Sequence, residues 1–197
     1  MAIYDIETTI DLGMSHSGPV TADGEGTVEL TDEEVDILVG LIREKKTTNV
    51  GKLDLENLYP DIYQKLDEAY SDMAYKAEER HWLIEGYYSH YNDYDEGELM
   101  DYCRRELGYS FEFNPEDHFF GEELEEYQED PETFEDTIYD IESKAFNEWL
   151  DDYVDNASYD QLCDLCYNHM NCDLDMDSVD YTVGIPPAII QKAKQKK

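Results

Sequence analysis

Basic residues are scarce in this chain. Fourteen Lys and Arg stand against 50 Asp and Glu in 197 residues, a formal net charge of -36. Nucleic acid and anionic lipid would both repel such a surface, which excludes them as direct partners and points to basic ones. Long apolar runs are absent too: no stretch of 18 apolar residues could span a bilayer. The opening Met1, Ala2, Ile3, Tyr4 and Asp5 provide no basic stretch ahead of an apolar one, so no secretory signal and a cytoplasmic location are expected. Cysteine is sparse. Cys103, Cys163, Cys166 and Cys172 are expected as reduced thiols packed inside. No phosphate-cradling Gly-rich loop or GxSxG motif occurs, and His81, His90 and His118 have no nucleophile at a recognisable spacing. The expectation is a protein that is not an enzyme and needs no cofactor.

What the chain has in abundance is Tyr: 17, beside 6 Phe and 2 Trp. Acidic disordered chains are poor in aromatics, so these rings argue for a packed fold. Tyr suits a highly charged domain because it buries a ring while its hydroxyl stays wet.

The pattern predicts an α+β fold, mostly α-helical, with an N-terminal β-hairpin followed by a helical bundle and one or two short extra strands. Ile6, Thr8, Ile10 and Leu12 share one strand face, with Glu7 and Asp11 on the other. The Gly-rich stretch from Gly13 to Gly26 reads as a loop, and Thr27 to Leu30 as a returning strand. Thr31 to Glu34 forms a capping box ahead of Val35, Leu38, Val39 and Ile42 at helical spacing. Pro60 opens a long helix. Further helices are expected over Glu96 to Leu107, stopping at Gly108, over Glu122 to Glu129, from Asp130-Pro131 past Trp149, and after a second capping box at Ser158 to Gln161. Tyr109 to Phe113 and Cys172 to Val183 read as strands. Residues 1–185 are expected as a single acidic domain and 186–197 as a basic C-terminal tail, amphipathic or frayed.

Charge is uneven along the chain. Residues 1–105 hold 25 acidic and 9 basic residues, whereas 106–191 hold 25 acidic residues and Lys144 alone. The acids also lie in rows. Glu122, Glu125, Glu126 and Glu129 share a helical face, and Asp151 and Asp155 repeat the spacing. Asp173, Asp175 and Asp177 would line one strand face roughly 6.6 Å apart. Such rows oppose folding by about 0.2–0.5 kcal/mol per i,i+4 pair. Solubility alone needs a net charge of only about 2–8 in magnitude. These nine carboxylates are therefore the expected contacts with a basic partner, standing in for the phosphates of nucleic acid; the bland alternative is a merely solvated acidic surface.

Three short motifs carry other chemistry. Asp5-Ile6-Glu7-Thr8-Thr9 resembles the first metal-binding motif of the DnaQ-like 3′–5′ exonucleases, Asp-x-Glu-Thr on a strand. The resemblance implies divalent metal held by Asp5 and Glu7 for phosphodiester hydrolysis. It covers five residues, and Asn92 and Asp95 sit one residue too close for the family's second motif. On the residues themselves, Asp5 and Glu7 are strand-surface acids. Cys163, Cys166, His169 and Cys172 are potential zinc ligands at intervals of three. On a regular helix they diverge by about 60° per step, and only a break near Asn171 would let them converge. Thiols packed beside Leu162 and Leu165 are expected instead, with no metal. Asp173-x-Asp175-x-Asp177 starts like an EF-hand loop, but Ser178 and Gly184 occupy the positions that need Gly and Glu.

The expected function is a non-enzymatic acidic inhibitor that occupies a basic nucleic-acid-binding surface of a partner. In composition the chain resembles phage anti-restriction and anti-CRISPR proteins, several of which are small, acidic and rich in Tyr. The alternatives are a general acidic interaction module without mimicry and a metal-dependent nuclease using Asp5 and Glu7.

Overall fold

The computed structural model describes residues 1–15, 18–90, 94–172, 174, 176 and 179–195. The fold is α+β and mostly helical: a two-stranded N-terminal hairpin followed by helices. The chain divides into two compact units, Met1–Trp82 with Leu174–Lys197, and Leu83–Asp173. Among the described residues no helix is long and apolar enough to cross a membrane.

In the first unit, β1 (Ala2–Ser15) and β2 (Gly18–Leu30) pair antiparallel from Ala2 opposite Leu30 to Ser15 opposite Gly18. Ile6, Ile10, Ala22, Val28 and Leu30 are buried, so period-two alternation places one face on the core. The loop expected from Gly13 to Gly26 is a correction: the chain is strand from Gly18 onward. Gly24 and Gly26 mark close packing rather than a turn. Helix α4 (Pro60–His90) lies directly on them. A Cβ on Gly24 would come 3.0 Å from Met73 Cγ and 3.3 Å from Ala77 Cβ; one on Gly26 would come 3.3 Å from Met73 Cβ. Glycine inside a strand commonly marks such an approach.

Helix α1 (Asp32–Lys45) begins with the expected capping box. The Glu34 amide donates to Thr31 Oγ1 at 3.2 Å, and the Thr31 amide donates to Glu34 Oε2 at 2.7 Å. Lys65 Nζ reaches Glu34 Oε1 at 2.7 Å. Burial alone would raise the Glu34 pKa, but the bonds from Lys65 and Thr31 outweigh it and hold the carboxyl below its ordinary range. Val35, Leu38, Val39 and Ile42 face the core with Ile62, Leu66, Tyr70 and Met73 of α4. Two single turns, α2 (Val50–Leu53) and α3 (Leu55–Leu58), connect α1 to α4.

The segment read as a basic tail forms α10 (Pro187–Lys194) over most of its described length, and it buries Ile189 and Ala193 in the same core. Arg43 caps it from α1, donating to the carbonyls of Lys192, Ala193 and Gln195 at 3.1, 3.0 and 2.9 Å. These acceptors belong to the helix end whose carbonyls lack intrahelical donors.

In the second unit, α5 (Glu96–Tyr102) runs into one π-helical turn, Cys103–Leu107, and stops at Gly108 with φ 82°. Next come α6 (Pro115–His118), α7 (Glu122–Glu129), a 3₁₀ turn (Pro131–Phe134), α8 (Glu135–Asn156) and α9 (Tyr159–His169). Leu99, Cys103, Phe146, Leu150, Val154 and Leu162 are fully or almost fully buried.

Both extra strands are corrections. Tyr109 to Phe113 is not strand and has no strand partner among the described residues; Tyr109 instead packs against Phe146 and Trp149 at 5.1 and 5.2 Å. The described residues between Cys172 and Val183 are in neither strand nor helix. Val179, Tyr181 and Val183 alternate because they cover the apolar clusters of the first unit, not because their backbone joins a ladder.

A Cβ on Gly184 would lie 2.6 Å from Tyr70 Oη and 2.9 Å from Tyr70 Cζ, and Tyr70 is only 3% exposed. Gly184→Ala is therefore expected to destabilise the protein by about 1–3 kcal/mol, read from denaturant midpoints. Adding Tyr70→Phe removes the atom nearest the new methyl and should return part of that loss in a double-mutant cycle. Simple additivity would show that the clash is relieved elsewhere.

Candidate functional site

The second unit carries 28 acidic and 3 basic residues, against 22 and 11 in the first. Its densest acidic stretch is α7. The helix exposes Glu122, Glu123, Glu125, Glu126 and Glu129, and turns Leu124 and Tyr127 inward. Eight residues span about 12 Å, so a charge falls every ~2.4 Å of axis. A duplex carries one per ~1.7 Å and each of its strands one per ~3.4 Å, which places α7 between them. Among the described residues, none of these five side chains meets a cation or a hydrogen-bond donor.

An isolated eight-residue helix with this charge would not hold in water. Aromatic packing supplies what the backbone lacks. Tyr127 lies 5.3 Å from Phe119, 5.7 Å from Phe134 and 5.9 Å from Phe113, centroid to centroid. Phe119 is 5.0 Å from Phe134, and His118 stacks on Phe113 at 5.4 Å. Such spacings are the attractive range for ring pairs. The acids therefore stand on a helix pinned from beneath. Glu122, Glu123 and Glu125 also sit in the first turn, where the helix dipole favours negative charge; Glu129 at the other end opposes it.

Helix α8 bears eight acids over about 33 Å, one per ~4 Å, interrupted by Lys144. Asp151 and Asp155 are both exposed here, but neither is unengaged. Asp151 accepts from the Tyr87 hydroxyl at 2.7 Å, and Asp155 has a partner of its own. Glu142 is paired with Arg104, which also binds Asp101 at 2.9 Å. The remaining sequence-derived contacts, Asp173, Asp175 and Asp177, lie outside the described residues.

Sequence reasoning placed Asp5, Glu7 and Asp11 on a strand surface but missed that the acids of β2 complete a second acidic face. The outer surface of the hairpin carries Asp5, Glu7 and Asp11 on β1 and Asp23, Glu25 and Glu29 on β2, all exposed. Glu7 stands directly opposite Glu25, an arrangement that costs stability. Thr9 Oγ1 donates to Asp23 across the strands at 2.8 Å. The signal was the alternation of Thr21, Asp23, Glu25, Thr27 and Glu29, obscured by the intervening glycines. Asp5 and Glu7 are thus members of an open acidic sheet face. Among the described residues no three His, Cys, Asp or Glu side chains converge as metal ligands.

The cysteine-rich segment does bend where convergence required it. After α9, Asn171 adopts φ 51° and the Cys172 amide donates to the Cys166 carbonyl at 3.0 Å. Cys166 and Cys172 are buried and Cys163 is half-buried, while the His169 ring stacks on Tyr102 at 3.5 Å. Burial, with smaller contributions from Cys172 and Cys163, pushes the Cys166 thiol up to about 12, which disfavours the thiolate that metal or an electrophile would need. Nearby, Asp164 is held below the usual carboxylate range by the Tyr102 hydroxyl at 2.7 Å and then by Asn168 at 2.8 Å.

No family model, curated protein or solved structure matches this chain.

Self-repulsion on this scale sets a salt response. Raising salt from about 20 to about 500 mM should raise Tm, because the Debye length shrinks from roughly 20 Å to a few Å. An unchanged midpoint would mean the carboxylates already carry counter-charges. Mild acidification should stabilise as well, until pH falls through the depressed folded-state pKa of Asp164. Its contribution is present above the unfolded value and is lost below the folded one, so stability should pass through a maximum.

Proposed function

We propose that this protein is a non-enzymatic, cytoplasmic inhibitor whose acidic second unit occupies a nucleic-acid-binding surface on a basic partner. The observation that carries this reading is α7: five exposed carboxylates that meet no cation among the described residues, at a linear density between those of one and two nucleic-acid strands, held on a helix braced by aromatic rings. Carboxylates fixed in a row can accept the Arg and Lys side chains that otherwise grip phosphates. Because the helix backbone is already ordered, docking costs mainly the rotamer freedom of the Glu side chains. Asp151 and Asp155 on α8 extend the contact; in this reading Asp173, Asp175 and Asp177 do so too. Long-range attraction makes association fast and salt-sensitive.

A competition assay with labelled duplex and single-stranded DNA and RNA tests the proposal. The partner should release its nucleic acid as this protein binds, and excess nucleic acid should displace this protein. Single Glu→Gln changes in α7 should alter affinity by about 0–1 kcal/mol each. Reversing Glu122, Glu125, Glu126 and Glu129 together to Lys should abolish binding, since each then meets a like charge. A stable ternary complex of partner, nucleic acid and this protein at unchanged affinity would exclude occlusion and favour a general acidic interaction module.

Asp5 and Glu7 make no catalytic contribution in this reading. The double variant Asp5→Ala, Glu7→Ala is expected to displace nucleic acid from the partner as the wild type does. Metal-dependent cleavage of DNA or RNA by the purified wild type, lost in that variant, would overturn the assignment in favour of a nuclease.

A further inference from the structure

The first unit contains a concave site whose chemistry is distinct from the open acidic rows. A cavity of about 520 Å³ lies between the α2–α3 turns, α4 and the segment around Tyr181. Asp54, Glu56 and Asp67 line it together with the rings of Tyr63 and Tyr181, and Val50, Leu55 and Val183 supply apolar wall. Tyr181 Oη donates to Asp67 Oδ1 at 3.0 Å, and Asn57 Nδ2 donates to Asp54 Oδ1 at 2.7 Å. Among the described residues, no cation pairs with any of the three carboxylates.

Three features select a ligand class. Three carboxylates along an open groove call for positive charge. Two tyrosines in the lining favour a flat, weakly hydrated cation over a hard metal ion, which would demand a closely converging oxygen set. The apolar wall suits a short alkyl stem. Together they describe the end of an arginine side chain: a planar guanidinium with donors for the two-oxygen geometry of carboxylates, on a methylene chain. Burial first, then the neighbouring Asp67 and Glu56, push the Tyr63 phenol above its ordinary range.

We propose that this cavity is a binding site for a guanidinium group, filled by an arginine side chain. The site does not rest on the acidic row of the second unit and would stand if nucleic-acid mimicry were disproved. The guanidinium could come from free arginine or from an exposed arginine of a protein, and the two sources are separable by probe.

The test is an NMR titration of the full chain with Nα-acetylarginine amide, with free arginine and with an acetyllysine amide control, at constant ionic strength. Saturable shifts confined to Tyr63, Tyr181, Val183 and their neighbours are expected, with the lysine probe weaker. Stronger binding of the capped amide than of free arginine indicates a side chain from a protein; the reverse indicates the free amino acid. The variant Asp54→Asn, Glu56→Gln, Asp67→Asn keeps shape and removes charge, and it should weaken binding by about tenfold or more. Asn at position 54 tolerates the left-handed backbone there, φ 57°, so the fold is expected to survive. Tyr63→Leu alone offers a second reading, with weaker guanidinium binding while the three carboxylates remain. Shifts of equal size over α7, α8 and the hairpin face, without saturation at the cavity, would reduce the effect to counter-ion condensation and overturn the site. Unchanged affinity in the charge-neutral variant would overturn it too.

Discussion

Ring packing beneath a carboxylate-covered surface is the interaction on which the second unit depends. Its 28 acids, set against only 3 bases, repel one another at every separation shorter than the Debye length. Local helix propensity cannot offset that, because rows such as Glu122 with Glu126 oppose the helix they sit on. The compensation comes from non-directional burial. Phe113, Phe119, Tyr127 and Phe134 form one aromatic group under α7; Tyr109, Phe146, Trp149 and Tyr153 form another against α8. The richness in tyrosine follows from this arrangement. A Tyr can cover apolar area and also donate a hydrogen bond to a nearby carboxylate, as Tyr87 does to Asp151 and Tyr102 to Asp164.

Charge is organised differently in the first unit. There most cations have defined partners: Lys65 holds Glu34 at the start of α1, Lys76 pairs with Asp72, Lys45 reaches the Leu53 carbonyl, and Arg43 satisfies the end of α10. Scarce positive charge is placed where helix ends or half-buried acids would otherwise go unsatisfied. The two units therefore divide the work of the sequence. One uses its cations on its own fold. The other leaves nearly all of its carboxylates outward, which gives a binding reading its physical basis.

Much of this was legible in the residues. Both capping boxes, Thr31 with Glu34 and Ser158 with Gln161, occur where the sequence places them, because a cap is a contact within four residues and needs no tertiary context. Helix α7 has the expected bounds, and Gly108 ends the preceding helical turn, for the same local reason. The exposure of Glu122, Glu125, Glu126 and Glu129 follows directly from 3.6-residue periodicity beside Leu124 and Tyr127.

What sequence could not decide was everything that depends on a partner far along the chain. Gly24 and Gly26 look like turn residues until Met73, nearly fifty positions away, is seen to need the space their side chains would fill. Val179, Tyr181 and Val183 alternate like a strand, yet the described residues of this segment join no ladder, and alternation alone cannot distinguish covering a core from joining one. The cavity bounded by Asp54, Asp67 and Tyr181 is drawn from three stretches of chain with no common motif. Composition by itself determined the sign of the net charge, because that is a sum over residues which needs no knowledge of their positions. Which carboxylates form a rigid row, which are spent on tyrosine hydroxyls and which enclose a pocket were decided only by tertiary structure, because each depends on what long-range packing brings within hydrogen-bonding or van der Waals reach.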